Sequence, residues 1–272
     1  MKKRINNFIS DMPPREDFWL LFKVSSYERL IQMQKGILYM NSLEYFSNLK
    51  GEESLSLRKY DLENVYRILK AGVNEKCYST LSLSININDA EQEFDLGSEA
   101  VLTAKFPRSQ NTMIFCMGAF ADGQDGFIPG EVDGKLLFDK RFLGFGSHLL
   151  LITDAKEFSK RIEMAIQNEK YIFSSVLFHK GYGLVSYKDL KNYSEAIGLY
   201  TKDIKYSWQM EFRIVFGVED KLLNSKGAYE FSIGDISDIS KITTVQSFID
   251  EPLIIKRRSF KKVGDNYELI NR

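Results

Sequence analysis

The sequence predicts a mixed α+β fold. Many short segments alternate apolar and polar residues with the period of two typical of strands, and a few carry the longer period of amphipathic helices. These strands and helices do not follow one another in strict β-α-β order, which argues against a parallel α/β sheet. The chain has 272 residues, of which 44% are apolar and 13% aromatic, enough for a packed core. No repeat with a period of about 20 to 50 residues is present.

The fold is expected to begin after an N-terminal arm. Pro13 and Pro14 prevent a helix from continuing through residues 1–16, so this stretch is predicted to be a flexible arm. The apolar run at residues 18–24 is interrupted only by Lys23. This pattern indicates a buried first strand that carries one cation.

Helix and strand signals follow in close succession. Ser25 or Ser26 can cap a helix over residues 27–34, and Gly36 supplies its stop. The elements expected next are a strand at residues 37–40 and a short helix at 43–46.

Residues 50–100 are predicted to be an insertion. The composition there becomes polar, with several serine, asparagine and acidic residues. Within it we expect a helix near residues 60–70 and a strand at 78–87, where serine alternates with leucine.

Strands predominate beyond the insertion. Asp154 can cap an amphipathic helix over residues 155–168, and a second, short helix is expected near 188–199. The strands expected in this part lie at 100–106, 112–119, 148–153, 171–178 and 183–187, at Glu211, at 229–233 and within 234–254. These elements form a single domain over residues 17–255, and a basic tail over residues 256–272 follows it.

The formal charges of the chain balance, since Lys and Arg together number 37 and Asp and Glu together also number 37. The surface as a whole therefore offers no general attraction for nucleic acid or anionic lipid. A basic cluster near the C-terminus is either a solvated tail or a contact for phosphates. It comprises Lys256, Arg257, Arg258, Lys261 and Lys262.

Cysteines and histidines are too few for a metal site. Cys77 and Cys116 have no CxxC partner, and the only histidines are His148 and His179, so neither zinc nor a disulfide framework is expected. This cysteine usage fits a reducing cytoplasm. A catalytic cysteine nucleophile assisted by one of the two histidines remains an alternative hypothesis. Because the chain lacks a signal-peptide pattern and any run of about 18 apolar residues, no membrane association is expected.

A Gln-x-Glu pair opens an apolar run late in the chain. In an extended segment, residues i and i+2 lie on one face, so Gln209 and Glu211 are predicted to project into the same space. The plainer alternative is that Glu211 forms an ion pair with Arg213, which lies on the same face.

This pair, opening a strand, resembles the last signature of the mono-ADP-ribosyltransferase superfamily. The first strand with its central Lys23, the following helix, and the segment from Gly36 through Ser42 to Tyr45 resemble the opening of the same fold. The resemblance implies a largely antiparallel, split sheet with flanking helices. It also implies NAD as the substrate, without a metal.

Most of residues 18–240 also resemble a broad group of bacterial and phage-borne proteins that includes the abortive-infection AbiGi-like proteins. The shared features are the Phe-Lys-Val of the first strand, the Leu-Tyr-Met-Asn-Ser-Leu-Glu-Tyr-Phe run, and Tyr-x-x-Gln-x-Glu-Phe-Arg-Ile at residues 206–214. A fourth shared feature is an Ile-Gly-Asp-Ile-Ser-Asp-Ile type of segment at residues 231–239. This resemblance implies a role in conflict between bacteria and phages.

The two resemblances together imply transfer of ADP-ribose from NAD to a macromolecular acceptor, by a toxin or defence effector. Glu211 would stabilise the positive charge that develops on the ribose as nicotinamide leaves, and Gln209 would contact the acceptor. The expected NAD-binding residues are Lys23, Tyr39, Ser42 and Tyr45, with one of the tyrosines stacked on nicotinamide. The acceptor is a protein, DNA or RNA, and a neutralising antitoxin is a further candidate partner.

Each of these residues also has a structural interpretation. Lys23 could extend its amine from the end of a strand, the tyrosines Tyr39 and Tyr45 could pack in a core, and Ser42 could cap a helix. Lys23 also departs from the enzyme pattern, in which a His or Arg occupies the first strand. The second functional hypothesis is therefore a binding or immunity component of an abortive-infection system that keeps the fold without the chemistry. A third is nucleic-acid binding through the basic C-terminal cluster.

Overall fold

A computed structural model gives the fold of this chain. It describes residues 19–49, 57, 62–73, 78–87, 90–121, 128, 130–175, 177–190, 197–254, 259–263 and 266–270. The predicted arm at residues 1–16, the basic residues 256–258 and half of the helix expected near 188–199 lie outside the described residues.

Within this described part the chain forms 22 strands and four α-helices. The first eleven strands are β1 (Trp19–Ser25), β2 (Ile37–Ser42), β3 (Val65–Lys70), β4 (Gly72–Val73), β5 (Tyr78–Ser79), β6 (Leu81–Ile87), β7 (Ala90–Gly97), β8 (Val101–Lys105), β9 (Thr112–Ala121), β10 (Glu131–Val132) and β11 (Lys135–Leu136). The others are β12 (His148–Ile152), β13 (Ile172–Phe173), β14 (Gly181–Leu184), β15 (Ser186–Lys188), β16 (Thr201–Asp203), β17 (Glu211–Val218), β18 (Tyr229–Ser232), β19 (Ser240–Thr244), β20 (Leu253–Ile254), β21 (Ser259–Val263) and β22 (Asn266–Ile270). The α-helices are α1 (Tyr27–Gln34), α2 (Leu43–Ser47), α3 (Ala155–Asn168) and α4 (Val245–Asp250). Short 3-10 helices occupy Lys140–Gly144, Ile204–Gln209, Asp220–Leu222 and Ser237–Ile239.

A nine-stranded antiparallel sheet forms the centre of the molecule. Its main path is β13-β17-β9-β1-β12-β19, with β14 also paired to β17 and β2 paired to both β9 and β18. The architecture is therefore mixed α+β with mostly antiparallel sheets, as the sequence predicts. Among the described strands, β15 and β16 form the one parallel pair.

Two strands share one edge of β9, and the sheet forks there. β1 pairs with β9 at residues 118–121, whereas β2 pairs with it at Ile114 and Met113. On its other edge, β9 pairs with β17 from Gly118 to Thr112. Side chains cover both faces of β17, which is why its sequence is a nearly continuous apolar run.

Hydrophobic clusters lie on both faces of the central sheet. On the first face, α1 and α3 pack against alternate residues of β1, β9 and β17, and this cluster includes Leu21, Met33, Phe158, Phe212 and Ile214. On the second face, α4 and the 3-10 helix at Lys140–Gly144 pack around Phe22, and a neighbouring cluster surrounds Leu43 and Val215. Below, these are called the α3 face and the α4 face.

The helices with clear sequence signals lie where they were predicted. α1 and α3 have the predicted bounds, and the Asp154 carboxylate caps α3 by accepting from the Glu157 N–H at 2.9 Å. Gly36 follows α1 with a φ of 88°, a conformation that favours glycine.

Two predicted elements are wrong in type or in length. The helix expected near residues 60–70 is instead strand β3, because it pairs with β8 over most of its length. The strand expected at 171–178 is limited to Ile172–Phe173 and an isolated bridge. The strand expected within residues 234–254 is β19, and it is followed by α4, a helix that the sequence does not predict, which Thr244 caps by accepting from the Ser247 N–H at 3.1 Å. Within the predicted C-terminal tail, β21 pairs with β22.

No helix in the described ranges is both long and apolar enough to cross a membrane.

Candidate functional site

The predicted Gln-x-Glu pair lies at the start of β17, but it is not part of one extended strand. Gln209 ends the 3-10 helix at Ile204–Gln209, and Met210 adopts the left-handed conformation with φ 46° and ψ 51°. Glu211 is then the first residue of β17. The prediction that strand alternation puts both side chains on one face is therefore wrong.

A third residue nevertheless brings the two side chains together. The Lys202 Nζ donates to Gln209 Oε1 at 2.7 Å and to Glu211 Oε1 at 2.8 Å. Lys202 lies in β16, and its side chain is only 3% exposed. The Gln209 amide is oriented from its other end, because its Nε2 donates to the Leu57 carbonyl at 2.8 Å.

Arg213 extends this arrangement into a buried ionic cluster. Its Nε donates to Glu211 Oε2 at 2.9 Å, and its Nη1 lies 2.7 Å from Glu63 Oε1. The Leu199 carbonyl accepts a further hydrogen bond from Arg213 Nη1 at 2.6 Å. The suggestion that Glu211 pairs with Arg213 is thus confirmed, in a buried setting in place of an exposed one.

The charges of the ionic cluster balance. Lys202 and Arg213 supply two cations, and Glu63 and Glu211 supply two carboxylates, all of them buried. Burial alone would raise the pKa of Glu211, but the charges of Lys202 and Arg213 outweigh it and hold the pKa at about 2. Burial would lower the pKa of Arg213, yet the two carboxylates raise it well above its usual value. Glu211 is consequently ionised at neutral pH.

The backbone of Glu211 is fixed as well. Its N–H donates to the Tyr187 hydroxyl at 2.8 Å. Burial is the main cause that raises the pKa of Tyr187, so this hydroxyl stays protonated at neutral pH. The Glu211 side chain is 11% exposed. The site is therefore an ionised, rigidly held carboxylate with little contact with solvent.

Lys23 does not join this cluster. Lys23 alternates with Phe22 along β1, and Phe22 packs on the α4 face, so Lys23 projects to the α3 face. Its Nζ donates to the Cys116 carbonyl and lies 4.5 Å from the centre of the Phe115 ring. Glu211 is opposite Gly118, the residue over which the Phe22 ring lies, and so projects to the α4 face. Lys23 and Glu211 thus point to opposite faces of the sheet.

The two predicted tyrosines lie at the surface. Tyr39 and Tyr45 are each 43% exposed, and within the described part of the chain neither contacts Glu211 through a hydrogen bond. Tyr39 alternates with Leu38 and Met40, which pack on the α3 face, so Tyr39 projects to the same face as Glu211. Ser42 caps α2, since its Oγ accepts from the Tyr45 N–H at 3.1 Å.

Three members of the site were missed by the sequence analysis. Lys202, Glu63 and Tyr187 come from separate segments, and no local motif connects any of them to Glu211. Lys202 lies between Thr201 and Asp203 in a short polar stretch, and such a stretch gives no signal of burial. Only the tertiary structure brings it beside Gln209.

Within the described part of the chain, neither a metal site nor a reactive cysteine is found. The described residues contain no group of three or more His, Cys, Asp or Glu side chains placed to hold a metal ion. Burial raises the pKa of Cys116 to about 12, so its thiol stays protonated at neutral pH and is a poor nucleophile.

No known protein family, no curated protein and no solved structure matches this chain. The fold and the site therefore define an α+β protein with a buried carboxylate–cation cluster at the start of a central strand.

Proposed function

We propose that the chain is an ADP-ribosyltransferase-like protein that transfers ADP-ribose from NAD to a macromolecular acceptor. The main observation in support is the Glu211 carboxylate, which two cations keep ionised at the start of β17 while Lys202 joins it to Gln209. An aspect of the same proposal is that the chain belongs with the AbiGi-like abortive-infection proteins and acts in conflict between bacteria and phages.

The chemistry needs a negative charge that is fixed before the reaction. Cleavage of the bond to nicotinamide develops positive charge on the ribose, and a preorganised carboxylate stabilises that charge more in the transition state than in the ground state. Each carboxylate oxygen can accept two hydrogen bonds. In the described part of the chain, Lys202 is the donor to Glu211 Oε1, which leaves this oxygen able to accept a ribose hydroxyl.

The roles of the remaining predicted residues change in this proposal. Lys23 is not assigned to the diphosphate, because it projects to the face opposite Glu211. Tyr39 and Tyr45 stay candidates for stacking on nicotinamide, since both rings are exposed and available to a planar ligand. Ser42 is assigned to capping α2. Gln209, which is held next to Glu211 through Lys202, is the residue assigned to the acceptor.

Incubation with NAD labelled on the adenylate tests the proposal. The purified protein is added to cell extract, and label is followed in the protein, DNA and RNA fractions, with free NAD measured in parallel. We expect transfer by the wild type and a loss of at least about 100-fold in Glu211→Gln, corresponding to about 2.7 kcal/mol at about 1.36 kcal/mol per tenfold. Asp238→Asn, which removes a carboxylate paired with an arginine far from Glu211 in sequence, is the matched control and should keep full activity.

Two results would contradict the proposal. One is absence of both transfer and NAD loss in a wild-type sample that circular dichroism shows to be folded. The other is a Glu211→Gln variant with wild-type activity. Because this variant leaves Lys202 and Arg213 with one carboxylate fewer, the activity is expressed per folded molecule.

A non-catalytic binding or immunity component is the second candidate. The observation that favours it is that both Glu211 oxygens already accept from cations while only 11% of the side chain is exposed. Calorimetry with millimolar NAD separates the two functions, because this candidate predicts no heat of binding and an effect of Glu211→Gln on stability alone.

A further inference from the structure

The outer edge of β18 has backbone groups without a partner among the described residues. β18 pairs with β2 on one side, and no described strand pairs with its other side. The Ile233 N–H donates to the Gly36 carbonyl at 2.9 Å, so the backbone groups of Tyr229 and Phe231 point towards β2. By alternation, those of Glu230 and Ser232 point outwards.

The turn before β18 supplies hydrogen-bond partners for the backbone of Ala228, the preceding outward residue. In the described part of the chain it supplies none for the backbones of Glu230 and Ser232. The Ala228 carbonyl accepts from the Asn224 N–H at 2.8 Å, and the Ala228 N–H donates to Asn224 Oδ1 at 3.1 Å. Neither Glu230 nor Ser232 has a backbone hydrogen bond to another described residue on this side. The open edge therefore offers two N–H groups and two carbonyls in the pattern of a strand.

A groove of about 600 Å³ runs between this edge and the second half of α3. Besides residues of β18, its lining includes Arg161, Met164, Glu169 and Leu222. Met164 is 52% exposed, so an apolar side chain faces the groove with its surface uncovered. The groove thus has an apolar wall beside an open strand edge; below it is called the edge groove.

The charge of the edge groove is negative. Arg161 is already neutralised, because its Nη2 lies 2.6 Å from Asp238 Oδ2 and its Nε 2.9 Å from Glu157 Oε1. The acidic lining residues Glu169 and Glu230 have no salt bridge to a described cation. A ligand with positive charge is therefore favoured here.

We propose that the edge groove binds an extended, lysine-containing peptide segment of a partner protein, which adds to β18 as a further strand. The outward groups of Glu230 and Ser232 supply the main-chain hydrogen bonds of this mode of recognition. Side chains of an added strand alternate between its two faces. An apolar side chain facing α3 would contact Met164 and Leu222, and a lysine on the other face would lie near Glu230.

The probe for this proposal is a fluorescent nine-residue peptide that alternates lysine and valine. The first control peptide has glutamate in place of every lysine. The second keeps the lysines and carries an N-methyl group on every central amide. On the protein, Ser232→Pro removes one outward N–H without disturbing the pairing with β2, and Ser232→Ala keeps that N–H. Binding is measured by fluorescence anisotropy, and thermal unfolding confirms that each variant is folded.

We expect the lysine peptide to bind at least tenfold more tightly than the glutamate peptide and the N-methylated peptide. Ser232→Pro should weaken binding at least tenfold, while Ser232→Ala should bind as the wild type does. If Ser232→Pro does not fold, the affinities of the lysine peptide and the N-methylated peptide for the wild-type protein test the proposal instead. Absence of binding at millimolar peptide, or equal binding of the lysine and N-methylated peptides, overturns the proposal. Wild-type dimerisation that Ser232→Pro abolishes also overturns it, because the occupant is then a second copy of the chain.

Discussion

At the scale of single residues, Lys202 determines the geometry of the candidate site. One ammonium group with three donors holds the Gln209 amide and the Glu211 carboxylate together across the left-handed turn at Met210. Strand alternation cannot do this, because Gln209 precedes the strand. A buried lysine thus produces the convergence that the Gln-x-Glu spacing by itself does not.

Replacement of Lys202 should lower the free energy of unfolding. In Lys202→Met, Glu211 keeps Arg213 as a partner but loses its second cation in a buried setting, and loss of one member of such a pair costs about 3–5 kcal/mol. Urea unfolding measures this change in the free energy of unfolding. Lys205→Met, at an exposed lysine close in sequence, is the control, with an expected change within about 0.5 kcal/mol. Similar values for the two variants would show that the Lys202 bridge does not stabilise the protein.

Acid titration should reveal the same cluster. The pKa of Glu211 is lowered from the usual 4.5 to about 2 in the folded protein, so its ionisation stabilises the fold fully above pH 4.5. This contribution is lost as the pH falls from 4.5 towards 2, because the unfolded chain then binds the proton first. We expect the difference in unfolding free energy between wild type and Glu211→Gln to shrink over this range. Urea midpoints at several pH values measure it, and a constant difference would argue against an ion-paired Glu211.

At the scale of elements, Gly118 allows β1, β9 and β17 to meet beside the site. The Phe22 ring lies over Gly118, which is opposite Glu211 in the sheet, and a Cβ there would overlap that ring. Gly118→Ala should therefore destabilise the fold by about 1–3 kcal/mol, as overpacking does. Gly181→Ala in β14, where a Cβ meets nothing within 4 Å, is the matched control.

A double variant distinguishes overlap from an effect of alanine on strand conformation. Replacement of Phe22 by leucine in the Gly118→Ala background frees space at the ring, so the two changes should be less destabilising together than the sum of each alone. Strictly additive unfolding free energies, from the same urea measurements, would contradict the predicted overlap.

The elements that the sequence predicts well are those whose signals are local. α3 has a capping aspartate, Asp154, and a continuous amphipathic pattern, so its bounds are predicted without knowledge of its neighbours. Strand β3 was predicted as a helix, because its strand conformation depends on pairing with β8, a contact that no local pattern encodes. The same reason separates the site residues: Gln209 and Glu211 lie two residues apart in the sequence, whereas Lys202 and Glu63 reach them only through the tertiary structure.

At the scale of the whole molecule, one sheet carries clusters of different character on its two faces. The α3 face is covered by two helices and, apart from Lys23, is lined by an apolar cluster, whereas the α4 face combines an apolar cluster with the buried charges around Glu211. The fork in β9, where β1 and β2 share an edge, leaves the Cys116 carbonyl to be satisfied by Lys23. Lys23 thus has a structural task at the fork that is independent of ligand binding.

This architecture predicts unequal stability across the molecule. β9 pairs with three other strands and is almost fully buried, whereas β6 and β7 form a two-stranded sheet with Leu83, Ile85 and Phe94 exposed. Because an isolated pair of strands is marginal in water, its amides should exchange with solvent through local opening, long before the global unfolding that releases β9. Hydrogen exchange followed by mass spectrometry on a monomeric sample measures this. We expect peptides from residues 81–97 to exchange at least about 100-fold faster than peptides from residues 112–121, and equal protection would show that another surface covers the β6–β7 pair.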